Sequence, residues 1–124
     1  MINWNLKPSE IAKVLLPFYI EVMEFAEREE DDNNTSWNLS DDSLEKAKKD
    51  LTELVEYVKS SIQDFPSDES DRLAYDFWLT RNHHGAGYWD GDWSQAIGEK
   101  LTQYSHSVGE CYCYRGDDGL IYLS

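Results

Sequence analysis

Leu73-Ala74-Tyr75-Asp76-Phe77-Trp78-Leu79-Thr80 is the stretch on which the architecture turns. Leu73, Tyr75, Phe77 and Leu79 alternate with Ala74, Asp76, Trp78 and Thr80, and a period of two predicts a β-strand. The run Asn82-His83-His84-Gly85-Ala86-Gly87 follows as a turn into Tyr88-Trp89, with the glycines expected at positive φ. Asp92 and Gln95 are placed to cap a helix whose Ile97, Leu101, Tyr104 and Val108 share a face and which Gly109 ends. Cys111 to Arg115 and Leu120 to Leu123 flank Gly116-Asp117-Asp118-Gly119, a hairpin signal.

Upstream of this stretch the periodicity is helical. Ile11, Val14, Leu15, Phe18, Val22 and Phe25 form one stripe between Pro8 and Arg28, with Pro17 predicting a kink near residues 13 to 17 or a division into two helices. Leu44, Ala47, Leu51, Leu54, Val55, Val58 and Ile62 form a second stripe, predicting a helix from Asp42 to Gln63 with Asp42 and Glu45 as its capping pair. Neither stripe can be buried alone, so the two helices are expected to pair as an antiparallel hairpin. The fold class expected is α+β: an N-terminal helical hairpin packed on a small antiparallel or mixed sheet, with a third helix and a C-terminal β-hairpin. At 124 residues this is a single domain, 1–124, with an acidic helical part (1–66) and an aromatic-rich α+β part (67–124).

Charge narrows the function classes. The chain carries 25 acidic and 11 basic side chains, a net charge of −14. Residues 1–70 hold 17 acidic against 7 basic groups, a net of −10, and residues 71–124 hold 8 against 4, a net of −4. Such a field repels nucleic acid and anionic lipid and favours basic surfaces, including the nucleic-acid grooves of other proteins. Acidity that serves only solubility, or a halophilic host, is the plainer alternative. There is no signal-like start, and the longest apolar run, Val14 to Ile20, is too short to span a membrane, so a cytoplasmic location is expected.

The segment 76–93 concentrates reactive side chains. Arg81, His83, His84, Asp90 and Asp92 are the polar groups a small enzyme or ligand-binding protein would use there, whereas the architectural reading pairs Arg81 with Asp76 or Asp90 and puts the aromatics in the core. Asp90-Gly91-Asp92 begins like a calcium loop, but Gln95 and Leu101 stand where that loop needs Gly and Glu. Cys111 and Cys113 are too few for a structural zinc site, so no metal, cofactor or catalytic residue is assigned.

Asp76 to Asp92, Gly98-Glu99-Lys100-Leu101-Thr102 and Tyr114 to Tyr122 together resemble a family of small uncharacterised proteins encoded by bacteriophages and plasmids, whose members share an Asp-Phe-Trp-Leu-Thr-Arg-Asn-x-His-Gly-Ala-Gly-Phe-Trp-Asp type of segment. The resemblance covers roughly residues 73–124, with His83 and Tyr88 as departures from the family's Gly and Phe. It implies an accessory protein of a phage or mobile element, acting in a bacterial cytoplasm. Joined to the charge, it predicts an inhibitor of a host or phage nucleic-acid-binding protein that presents carboxylates in place of DNA phosphates. The expected partner-binding residues are Glu21, Glu24, Glu27, Glu30, Asp31, Asp50, Glu53 and Glu56, with no direct contact to nucleic acid or membrane. A third reading is an adaptor that docks through an aromatic patch such as Trp4, Trp37 and Trp93.

Overall fold

A computed structural model of the chain describes residues 2–34, 36–90 and 93–124. The elements are α1 (Pro8–Glu27), α2 (Asp41–Ser61), α3 (Ser70–Arg81), α4 (Gln95–Val108), β1 (Cys113–Arg115) and β2 (Ile121–Leu123), with a short 3-10 turn (Ser67–Glu69) leading into α3. This is the expected α+β class, with the C-terminal hairpin in place and one continuous core that draws on both the helical and the aromatic-rich part.

The segment 73–80 is helix, not strand. Ser70, Leu73, Ala74, Phe77, Trp78 and Arg81 are all buried, which is the i, i+3, i+4, i+7 stripe of a helix. Asp76 and Thr80 are buried as well, so the two alternating sets do not separate into a buried and an exposed face. An apolar run buried on most sides carries no alternation of environment, and its apparent period of two is accidental.

α1 runs unbroken through Pro17, so no division into two helices occurs. Pro17 and Lys13 are both exposed, where water can satisfy the carbonyl that Pro17 leaves without a donor. The buried face is Ile11, Ala12, Leu15, Tyr19, Val22 and Met23; Phe25, expected in the stripe, is 86% exposed. α2 buries its predicted stripe, but its cap is Ser40, whose hydroxyl accepts from the Ser43 amide, rather than Asp42. Lys59 near the end of α2 donates to the Leu6 carbonyl before α1 (2.6 Å), which fixes the two helices as an antiparallel hairpin.

α3 packs on α1 through Tyr19, which stacks on Phe77 and meets Trp78 edge-on. α4 closes the bundle against α2 and α3 through Tyr104, stacked on Tyr57 (4.4 Å) and Phe77 (6.2 Å). Ser94 caps α4 by accepting from the Ile97 amide, and Gly109 ends it at φ +92°, a conformation favouring glycine. Asp92, expected in that cap, lies outside the described residues.

The sheet is smaller than expected. β1 and β2 pair antiparallel with Tyr114 opposite Tyr122, and Leu39 before α2 adds one parallel bridge to Ile121. Amide–carbonyl bonds of Ile121 with Asn38 (2.7 Å) and Ser40 (2.9 Å), and of the Leu123 amide with the Ser43 hydroxyl (2.8 Å), tie the hairpin to the start of α2.

Candidate functional site

The expected partner-binding carboxylates do not share one face. Glu21 is exposed and interacts with the Tyr75 phenol, on the α1/α3 side. Glu53 and Glu56 are exposed on the α2/α4 side, where they reinforce the upward shift that burial imposes on Tyr104, to about 12. Glu24 is half exposed and pairs with Arg28 (2.7 Å). Two of the set are held inside the structure. Asp50 accepts from Arg81 (2.9 Å) and Lys46 (3.3 Å), and Glu27 accepts from the Trp78 indole (2.9 Å) and meets His84 Nε2 (2.6 Å). Glu30 and Asp31 belong to a third location, the loop after α1.

That loop is the centre of an acidic end assembled from three segments. Arg115 at the end of β1 reaches Asp32 (2.6 Å) and the carbonyls of Ser36 (3.0 Å) and Gly119 (2.9 Å). Its hydrogen bond is the main reason the Asp32 carboxyl is held below its usual range. Arg28 bonds the Asn34 and Ser36 carbonyls, and both guanidiniums lie over the Trp37 ring, at 5.2 Å and 5.6 Å. Trp37 is therefore a half-buried platform for two arginines rather than an exposed aromatic. With these cations turned inward, Glu29, Glu30, Asp31, Asp41, Asp42 and Asp117 are exposed and, among the described residues, form no salt bridge. Asp118 accepts from Tyr122, which lowers its pKa and raises that of the phenol; Asp42 adds to the latter shift, so the hairpin tip sits beside the start of α2. The Gly-Asp-Asp-Gly turn was visible in the sequence, but only the fold brings it to the acidic loop.

The described residues of the 76–93 segment, which do not include Asp92, are mostly architecture. Arg81, 2% exposed, bonds Asp50, the Tyr19 hydroxyl (3.1 Å) and the Gly109 carbonyl (2.8 Å), not the expected Asp76 or Asp90. Asp76 accepts from the Trp93 indole (2.7 Å), and Asp90 accepts from the Gly87 amide (2.8 Å). The positive φ of the turn falls on His83 (+58°), not on Gly85 or Gly87. His83 stacks on His106 and lies 3.8 Å from Glu110, whereas His84 turns to Glu27, so the adjacent imidazoles diverge. Among the described residues no cluster of His, Cys, Asp and Glu is arranged to hold a metal. Both cysteines are free; burial raises the Cys111 thiol and pushes Cys113 up to about 12, the opposite of an activated nucleophile.

Nor do the three tryptophans of the adaptor reading make a surface patch. Trp4 donates to Ser70 and packs on Phe65, Trp37 serves the arginines, and Trp93 is 7% exposed. Among the described residues no helix is long and apolar enough to cross a membrane. Comparison of the chain with protein-family models, with curated proteins and with solved structures finds no match.

Proposed function

We propose that this protein inhibits a nucleic-acid-binding protein by occupying its basic site with carboxylates, as an accessory factor of a phage or mobile element. The observation that carries the reading is the acidic end: Glu29, Glu30, Asp31, Asp41, Asp42 and Asp117 face solvent together while Arg28 and Arg115 are spent on internal contacts. A basic groove meeting that end would exchange its counterions for fixed carboxylates, as it does on phosphates. Glu21, Glu24, Glu53 and Glu56 extend the field around the bundle and steer the encounter. Asp50 and Glu27 are not part of the contact surface in this reading, because each already serves an internal partner.

The test is capture of partners from bacterial lysate at low salt, followed by competition with duplex DNA. Replacing Glu29, Glu30 and Asp31 together with Lys is expected to weaken binding at least about tenfold and to flatten its salt dependence. Replacing Glu53 and Glu56 with Lys should slow association with a smaller effect on affinity. Binding that survives the triple reversal in a folded protein, or a partner that does not compete with DNA, overturns the reading.

A further inference from the structure

Between the 87–90 turn and α4, on the side of the bundle where Trp93 packs on Phe65, lies an open cleft of about 710 Å³. Its volume is in the range of small-molecule sites. Trp89 forms one wall, half exposed at 49%, with its ring lying against Gly87, where an added Cβ would fall 2.7 Å from its Cζ3 and 2.8 Å from its Cη2. The Gly87 amide is in turn held by Asp90. Opposite stand the hydroxyl and amide groups of Gln95, Thr102 and Gln103, with Glu99 bonded to Gln95 (3.2 Å). The floor is backbone, since Gly98 lets α4 rest directly on the Tyr88 carbonyl, 2.7 Å from where a Cβ would be.

We propose that this cleft binds a neutral saccharide. A half-exposed indole suits the apolar C–H side of a pyranose ring, and a sugar's hydroxyls, which both donate and accept, match amide groups that do the same and a carboxylate that accepts. Among the described lining residues there is no cation, so nothing there compensates a phosphate or a carboxylate on the ligand, and Glu99 repels both. That disfavours nucleotides and acidic sugars, and the amide and hydroxyl groups of the lining favour an uncharged ring-bearing polyol.

Titration of the isotope-labelled protein with maltotriose, cellotriose, chitotriose and mannotriose, followed by amide and indole NMR shifts, tests this, with adenosine and inorganic phosphate as contrasting probes. At least one glycan is expected to saturate, with shifts centred on Trp89, Gln95 and Gln103. Trp89→Ala should weaken that binding at least about tenfold. Gln103→Ala, at an exposed position that leaves the indole in place, should weaken it several-fold and serves if the tryptophan variant does not fold. Absence of saturable binding by every glycan, saturation by adenosine alone, or shifts that map elsewhere on the molecule overturns the proposal.

Discussion

Arg81 at the end of α3 and Arg115 at the end of β1 each gather distant segments, but in different media. Arg81 is 2% exposed and its partners are Asp50, Tyr19 and the Gly109 carbonyl, so it joins all four helices' surroundings inside the core. Arg115 is 20% exposed, and it ties the α1–α2 loop to the hairpin at the surface. The lesson is one of dielectric. A buried guanidinium that loses its carboxylate becomes an uncompensated charge, whereas one at the rim turns to water.

The sharpest way to break this comparison is Asp50→Ala. It leaves Arg81 with only neutral acceptors in the core and should destabilise the protein by about 3 kcal/mol, measured by urea unfolding. A loss below about 1 kcal/mol would place Arg81 in the same class as a surface pair. Next comes Gly87→Val, because its side chain would start 2.5 Å from Thr80 Oγ1 and collide with the Trp89 ring. About 1–3 kcal/mol of destabilisation is expected from overpacking, seen as a lowered thermal midpoint.

At the acidic end the expected effect is smaller and depends on pH. Arg115 depresses the Asp32 pKa, so the stability that this pair contributes is fully present above the unfolded value of about 4 and is lost as pH falls through the folded one. Amides of residues 28–40 should therefore lose hydrogen-exchange protection, corrected for the intrinsic rate, as pH falls below about 4, and Arg115→Gln should weaken that dependence, leaving the part due to the Asn34 amide and Arg28. Unchanged protection in the wild type would contradict it. The smallest effect is Gly85→Ala. Nothing lies within 4 Å of a Cβ there and the φ is not positive, so stability should stay within about 0.5 kcal/mol, which separates the two glycines of the turn by experiment.

The sequence made these regions legible to different degrees. α2 and the hairpin could be read because each is buried on one side only, so that Leu51, Leu54 and Val58 or the Gly-Asp-Asp-Gly turn carry the pattern of their element. α3 could not, since Asp76, Thr80 and Arg81 are polar yet buried and erase the contrast on which periodicity depends. The acidic loop was visible as composition, but its union with Asp117 and the inward turn of Arg28 and Arg115 are tertiary facts. Phe25 misled for the converse reason, being apolar and at helical spacing while standing 86% exposed. Trp37 shows the same limit, since its nearest neighbours in sequence are polar and one of its two arginines, Arg115, comes from the far end of the chain.

The bond from the Leu123 amide to the Ser43 hydroxyl spans 80 positions, and that from Arg115 to Asp32 spans 83. Contacts so remote in sequence contribute nothing until the intervening chain has been ordered, and the entropy of closing that circuit weighs on the rate of folding. On the ribosome, α1 and α2 emerge well before the hairpin that anchors the segment between them. Until residue 115 has emerged, the 28–40 loop has only Arg28 to organise it, and a nascent chain stalled before residue 113 would lack the second arginine, which ties that loop to the hairpin.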